Sequence, residues 1–425
     1  MAAEPASAYN DPSSALVYEA PASYNGCTAP CYTTLSLSTS DTSSAPFYVY
    51  GGADTLFVGD NSGKVHEVTG AFNGTPAIDA NTGWPVTAST ETSHALNSPI
   101  FDSTSGNVFV GDSGGYLHQF ATSSPPGTVN ASNRLENNTA AVFDPPLVDS
   151  TSEEVYAFVG YSGDATAPSH SSYLNRFAAG SSIAGSFGTA LDFKNGGAGN
   201  PTTSIMRAGT FDDQYYASSE SSGNLYVCEN GVVYQVPMPA FSAVNTFNTL
   251  VSAVGSASTC SPVTEFLGVT ASATINETGG ITAAATSVTV TSGSGVANND
   301  YIQIDSEIMQ VTAGGGTTSL TISRGKVGTT AAAHANGATV QDIKDWLFMS
   351  VVANGNAAPC TGACLYNFNV IGAGTTGTPI AGLAASGGSS GIIVDNQSTT
   401  QVGGEQIYYN TLTGDNAVQA SQSNP

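Results

Sequence analysis

Residues 56–68 read LFVGDNSGKVHEV and residues 108–120 read VFVGDSGGYLHQF, so the chain contains one sequence pattern twice. Each copy has an apolar run that ends in Gly-Asp, a turn of small residues, and a second run with His at its centre. The glycines permit the positive φ angles that tight turns between antiparallel strands require. Each copy therefore predicts a β-hairpin.

The repeat extends beyond these two hairpins. The two copies start 52 residues apart, and a third apolar run begins near residue 154 at a similar interval. A short segment precedes each repeat, such as SPIFD at 98–102 and SPVTE at 261–265, and we call these segments blade openings. Strand–turn–strand units that recur about every 40–50 residues are typical of β-propeller blades. The sequence therefore predicts an all-β chain with a six- to seven-bladed β-propeller formed by residues 32–267 and 343–425, after an N-terminal segment 1–31.

Residues 268–342 interrupt the fifth recognisable blade. This segment consists largely of Thr, Ser, Ala, Gly and Val, and its alternating runs are separated by Gly and Asn turns. Such a pattern predicts a small separate β-domain of the β-sandwich or β-barrel type. Because the entropy of loop closure grows only with the logarithm of loop length, a blade can accept an insertion of this size.

The composition limits the possible partners. Only 9% of residues are charged, and 8 Lys and Arg stand against 32 Asp and Glu, which gives a formal net charge of −24. This charge repels nucleic acid and anionic lipid, and attracts cations such as Ca²⁺. No apolar run approaches the roughly 18 residues of a membrane span, so we expect no membrane insertion.

The six cysteines favour disulfides over a zinc site. Residues 27–31 read CTAPC and residues 360–364 read CTGAC. In each pair, the number and the type of the residues between the cysteines differ from those of zinc motifs. Proximity along the chain predicts three disulfide pairs, the middle one being the least constrained: Cys27 with Cys31, Cys228 with Cys260, and Cys360 with Cys364. Disulfides indicate an oxidising compartment. The first residues, MAAEPASAYN, have no signal-peptide pattern, so we expect an exported protein in a mature or trimmed form that begins with an added Met.

The repeated hairpins supply the candidate metal ligands Asp60, Asp112, His66 and His118. Histidine is a common metal ligand, and neighbouring blades would bring equivalent positions close together. Repetition duplicates any residue, however, and the third copy has Asn175 at the position of the histidines. The aspartates can equally bond the backbone of their own turns. A Ca²⁺ site therefore stays open beside a purely structural role.

The sequence contains no assembled catalytic motif. The fragment AIDANTG at 77–83 resembles part of a quinone-docking repeat, but it occurs once, so we do not expect PQQ as a cofactor. The GDSGG string at 111–115 lies at a hairpin tip, and the GxSxG motif is absent. Four acidic residues recur at the blade openings, where a pair could act in glycoside chemistry or could fix the backbone: Asp102, Asp149, Asp212 and Glu265.

Several of these motifs resemble known proteins. The chain shares sequence motifs that resemble those of exported β-propeller proteins of environmental bacteria, within the PQQ-like or quinoprotein-type superfamily. These motifs are CTAPC, SSAPFYVY, SGNLYVC, CSPVTEF and AVQASQS. Residues 283–339, around DYIQIDSEIMQVT and SRGKVGTTAAAHANGA, resemble a small Ig-like domain of bacterial and phage surface proteins. The resemblance implies a propeller fold with an inserted domain, and it implies no particular activity.

The leading hypothesis from the sequence is an exported, non-catalytic propeller with a structural, adhesive or assembly role at the cell surface or in an extracellular layer or fibre. Its partner would be a second copy of itself or an extracellular glycan. The alternatives are a polysaccharide lyase or glycosidase, and a module that binds glycan or Ca²⁺. Closure of a propeller further predicts that the short runs Ala15–Tyr18 and Asn416–Ala420 meet in one blade, or that one of them extends a neighbouring molecule.

Overall fold

The computed structural model describes residues 35–37, 41–49, 54–72, 75–90, 94–123, 125–135, 141–162, 172–193, 203–252, 259–395, 406–414 and 416–421. The N-terminal segment 1–31, with Cys27, Cys31 and the Ala15–Tyr18 run, lies outside these residues. The chain divides into two compact units, residues 1–194 and 195–425.

The first unit is built from antiparallel strands. They are β1 Phe47–Tyr48, β2 Thr55–Gly59, β3 Lys64–Thr69, β4 Ala77–Ile78, β5 Val86–Thr87, β6 Ile100–Asp102, β7 Asn107–Gly111, β8 Leu117–Ala121, β9 Asn130–Ala131, β10 Leu147–Asp149, β11 Glu154–Val159, β12 Tyr161–Ser162, β13 Tyr173–Ala178 and β14 Thr189–Asp192. Three sheets follow the chain order β1-β2-β3-β4, β6-β7-β8-β9 and β10-β11-β13-β14, and β5 also pairs with β3. Four consecutive antiparallel strands are the arrangement of a propeller blade.

Both hairpins expected from the repeat are present with the same register. Val58 faces His66 across β2 and β3, and Val110 faces His118 across β7 and β8. The turns between the strands place Gly63 and Gly115 at positive φ, where a side chain would be strained. The two hairpins therefore have the same geometry, because corresponding residues occupy the same register positions.

The second unit continues the series. It contains β15 Thr203–Ser204, β16 Thr210–Phe211, helix α1 Asp213–Ala217, β17 Asn224–Glu229, β18 Val232–Pro237, β19 Asn245–Thr249, β20 Thr264–Thr274, β21 Ser287–Thr289, β22 Tyr301–Ile304, β23 Glu307–Ala313, β24 Ser319–Lys326, β25 Thr339–Gly355, β26 Gly362–Asn369, β27 Ala381–Ala384, β28 Ile393–Asp395, β29 Gln406–Asn410 and β30 Ala417–Ser421.

The strands of this unit form a four-stranded sheet β16-β17-β18-β19, an eight-stranded sheet, and a three-stranded sheet β28-β29-β30. Within the eight-stranded sheet, β20, β25, β26 and β27 pair in blade order. The described chain is thus all-β and propeller-like, with five four-stranded sheets of the blade type. The total number of blades stays a prediction.

One blade assignment from the sequence is wrong. The sequence predicts that the run Ala381–Ala384 joins the later run 406–412 in a sixth blade, but it pairs with β26 and completes the fifth sheet. After Asp212 the chain forms the short helix α1, because the Asp212 side chain accepts the backbone N–H of Tyr215 and caps the helix.

Apolar side chains from adjacent sheets pack between them. In the first unit, Phe57 and Val65 of one sheet meet Val110 and Phe120 of the next. In the second unit, Tyr226 belongs to a cluster that also contains residues of β25 and β26. Within each unit, neighbouring sheets bury the facing sides of their central strands, which explains the apolar runs in those strands.

The segment 268–342 has its own apolar cluster, formed by residues between Ile275 and Val340. Its strands pair in the order β21-β24-β23-β22-β25, and β25 pairs with β20. Backbone bonds then join Thr274 to Thr291 and Asn276 to Thr289, so the far end of the sheet returns to the end of β20. The segment is anchored in the blade because β20 and β25 run through both parts.

Candidate functional site

The first Asp–His pair lies inside its hairpin. Asp60 follows β2, and its Oδ2 is 2.9 Å from Nε2 of His66 on β3. Its Oδ1 accepts the backbone N–H groups of Ser62 and Lys64 and the Ser62 hydroxyl. Burial raises the pKa of Asp60, but the bonds from His66, Lys64 and Ser62 outweigh burial, and the pKa lies below its ordinary value.

The second pair has the same geometry and one additional histidine. Oδ2 of Asp112 is 2.9 Å from Nε2 of His118 and 3.3 Å from Nδ1 of His94. Its Oδ1 accepts the backbone N–H groups of Gly114 and Tyr116. Burial raises the pKa of Asp112, yet the bond and charge of His118, the Tyr116 amide and His94 together lower it.

These contacts define what the repeated residues can do. In each hairpin, both carboxylate oxygens are engaged by the turn and by the imidazole, so the pair holds the hairpin closed. Nδ1 of His66 and of His118 is buried and has no hydrogen-bond partner among the described residues. The described residues include no group of three or more side chains that could hold a metal ion. At the position of the histidines in the third copy, Asn175 donates to the Phe187 carbonyl.

The acidic residues at the second and third blade openings accept hydrogen bonds from the backbone. Asp102 accepts the N–H groups of Thr104 and Ser105, and Asp149 accepts that of Thr151 and the hydroxyl of Ser152. Each carboxylate therefore stabilises the turn that follows its strand.

The fourth and fifth openings converge on a second, buried site. Asp212 caps α1 and also accepts both N–H groups that Asn224 presents, one from the backbone and one from the amide side chain. The N–H of Asp213 donates to Oδ2 of Asp345 on β25 at 2.8 Å. Glu265 lies on β20, two residues before Leu267, which pairs with Asp345 of β25. Glu265 and Asp345 are therefore diagonal neighbours on the same face of the sheet. We call these four acidic residues, Asp212, Asp213, Glu265 and Asp345, the carboxylate cluster.

Burial dominates the electrostatics of the carboxylate cluster. It raises the pKa of Asp212 to about 6 and that of Glu265 to about 7. Burial also raises the pKa of Asp345 well above its ordinary value, and the adjacent Glu265 raises it further. The pKa of Asp213 is raised by burial alone. The pKa of Glu265 lies near neutral pH, as that of a general acid does.

Access limits the chemistry of the carboxylate cluster. Asp345 is 1% exposed and Asp212 is 2% exposed. Asp212 is also committed to the helix cap and to Asn224. A polymeric substrate could reach these two carboxyl groups only after the strands around them had moved, so the geometry favours a structural role.

The sequence did not single out the network in the inserted segment. The guanidinium of Arg324 donates to both oxygens of Glu307, at 2.8 and 2.7 Å. His334 lies between two carboxylates, with Nε2 at 2.9 Å from Glu307 and Nδ1 at 2.7 Å from Asp305. Burial raises the pKa of Glu307, but Arg324, the Ala332 amide and His334 lower it to about 2. Each of the strings SEIMQVT, SRGK and HANG supplies one residue of this network, so their spacing along the chain could have indicated it.

The disulfides agree with two of the predicted pairs. Cys228 bonds to Cys260, and Cys360 bonds to Cys364. The first of these bonds links β17 to the segment that leads into β20, within the apolar cluster of the second unit. Within the described residues, no helix is long and apolar enough to cross a membrane.

No protein-family model matches the chain, and no curated protein sequence matches it. Among solved structures, the chain is similar to BamB from Moraxella catarrhalis, with 11% identity and a TM-score of 0.33 over 88% of this chain and 81% of that one. It is also similar to Raptor from Chaetomium thermophilum, with 8% identity and a TM-score of 0.31 over 69% of this chain and 22% of that one. The fold assignment rests on the strand order and register described above.

Proposed function

We propose that the protein is an exported, non-catalytic β-propeller scaffold with a structural, adhesive or assembly role outside the cytoplasm. The observation that carries the proposal is the commitment of the reactive side chains. Asp60, Asp112 and Asp212 use their carboxylates to hold turns or a helix cap, and all three are buried. Side chains fixed in this way stabilise the fold and leave little capacity for turnover.

Two observations support export. The chain has two disulfides within the described residues, and disulfides persist in oxidising compartments. Its motifs resemble those of exported propeller proteins, and the inserted segment resembles domains of surface proteins. We further propose that residues 268–342 form a separate β-domain that projects from the fifth blade and presents a surface for contact.

The test combines binding and turnover. The full chain is screened by calorimetry against extracellular glycans and Ca²⁺, and by product analysis against polysaccharides, esters and alcohols. We expect no turnover. Turnover that a single substitution abolishes without unfolding the protein would disprove the non-catalytic role. Saturable binding of a glycan without turnover would assign the adhesive form of the role.

The second candidate is a polysaccharide lyase or glycosidase, favoured by the raised pKa values of Asp212 and Glu265. A carboxyl group that stays protonated near neutral pH can serve as a general acid. In this case Glu265→Gln abolishes activity, and Glu153→Gln, at an exposed turn of the first unit, leaves it unchanged. Equal activity in both variants would exclude the carboxylate cluster as the catalytic site.

A further inference from the structure

Strand β30 is exposed where equivalent strands are buried. It is the third strand of its sheet, the position that β3, β8, β13, β18 and β26 occupy in the five four-stranded sheets. In each of those five strands, half or more of the residues are buried. None of residues 417–420 is buried. Among the described residues, the outer edge of β30 pairs with no strand.

The edge has none of the features that usually prevent strand pairing. Exposed edges are commonly protected by Lys, Pro or charged side chains. Strand β30 reads AVQAS, without charge or proline, and residues 406–421 contain one charged residue, Asp415. Nearby apolar side chains are also exposed, Ile393 by 69% and Leu412 by 55%. The strand is thus nearly neutral in a chain of net charge −24, so a second copy can approach it without strong local repulsion.

The sequence of β30 is complementary to itself. Val418 and Ala420 pair with Tyr409 and Ile407 of β29, on the face that packs against the fifth sheet. Gln419 pairs with Tyr408 on the opposite face and donates to its hydroxyl. An antiparallel β30 centred on Gln419 would place Val418 opposite Ala420 of the other strand, so apolar side chains would meet on one face and glutamines on the other.

We propose that β30 pairs with β30 of a second copy across a twofold axis at Gln419, so that each molecule supplies the fourth strand of the other's three-stranded sheet. Such an interface is isologous, since one patch serves both subunits. The two sheets would join into one six-stranded sheet. This inference deepens the proposed assembly role, because it names the partner as a second copy and the contact as a strand edge.

The first experiment measures the mass of the full chain by sedimentation equilibrium over a range of concentrations. We expect a dimer, and we expect Gln419→Lys to be a monomer because it sets two positive charges opposite each other at the axis. Ala384→Lys is the matched control, since it places the same charge on the exposed outer strand of the completed fifth sheet. Circular dichroism verifies that both variants fold. A dimer that persists in Gln419→Lys, or one that Ala384→Lys dissociates, would overturn the proposal.

The second experiment fixes the register. Mild oxidation of the Gln419→Cys variant should give a covalent dimer, because residues opposite each other on antiparallel strands have Cα atoms only about 5 Å apart. Ala417→Cys should give none, since its two copies would lie about 13 Å apart in this register. If the wild type is a monomer and Gln419→Cys forms no cross-linked dimer, the proposed interface is wrong and the non-catalytic role is unaffected. Turnover in the screen described above would remove that role and leave strand pairing to be judged by mass and cross-linking.

Discussion

At the scale of single residues, most of the recurrent acidic residues of this chain accept hydrogen bonds from the backbone. The hairpin repeat could be predicted from the sequence, because the residues of each turn directly follow Asp60 or Asp112. The contact between Asp213 and Asp345 could not be predicted, since Asp345 lies 132 residues after the Asp213 amide that donates to it. Local patterns therefore predicted the turns, and contacts between distant strands created the carboxylate cluster.

Asp112→Asn should lower the free energy of unfolding by about 1–3 kcal/mol. The carboxylate is fully buried and accepts two backbone N–H groups and His118, and a neutral amide would replace one acceptor oxygen with a donor. Urea denaturation measures the change. Asp41→Asn, at an exposed position, should alter stability far less. Equal effects of the two substitutions would contradict the role assigned to the buried pair.

The carboxylate cluster should make stability fall as pH rises from about 4 to 7. The folded-state pKa values of Asp212 and Glu265 are raised to about 6 and 7, so between these limits the folded chain binds more protons than the unfolded chain. Below about pH 4 these carboxyl groups are protonated in both states, so the decline begins there. It continues through the folded-state pKa of Glu265 at about 7, and Asp345, whose pKa is raised well above its ordinary value, extends it to higher pH. Chemical denaturation at several pH values measures it.

The matched pair for this experiment is Glu265→Gln and Glu153→Gln. The first removes a titrating group from the carboxylate cluster and should flatten the decline, whereas the second changes an exposed side chain and should leave the decline as it is. A steeper or unchanged profile in Glu265→Gln would contradict the assignment of the pH dependence to this cluster.

At the scale of elements, strand order follows from the repeat and from apolar patterning, whereas edges do not. The hairpins β2–β3 and β7–β8 could be predicted because register and turn chemistry are encoded within thirteen residues. The run Ala381–Ala384 was assigned to the wrong sheet because a run of four residues, three of them Ala or Gly, carries little information about its partner strand. Helix α1 was missed for a similar reason, since its cap depends on Asp212 and not on an amphipathic pattern.

Glu307→Gln should destabilise the inserted segment locally by about 3–5 kcal/mol. Glu307 is buried and paired with Arg324, and removing one partner of a buried ion pair strands the remaining charge. Hydrogen exchange across residues 275–340 measures the local effect. Asp305→Asn is the control, because its carboxylate is 62% exposed and contributes little by comparison. Similar exchange in both variants would refute the central role of Glu307.

At the scale of the whole molecule, the described disulfides are confined to one unit. All four cysteines of these two bonds lie in residues 195–425. Replacing Cys228 and Cys260 together by Ser should cost about 2–4 kcal/mol, because the bond restricts a long loop in the unfolded chain. Calorimetry should show the loss in the transition of the second unit. A shift confined to the first unit would contradict this division of the chain.

The uninterrupted strands β20 and β25 also constrain the order in which the protein folds. Thr264 pairs with Phe348, so completing the fifth sheet requires the chain to close a loop of more than eighty residues. Pairing residues this far apart along an unstructured chain is slow, although the entropic cost of the closed loop grows only with the logarithm of its length. Folding of residues 275–338 first would bring Thr274 beside Thr339 and reduce that search to a zipper running down the two strands. We therefore expect residues 275–338 to gain protection before β20 and β25 when hydrogen exchange is measured during refolding.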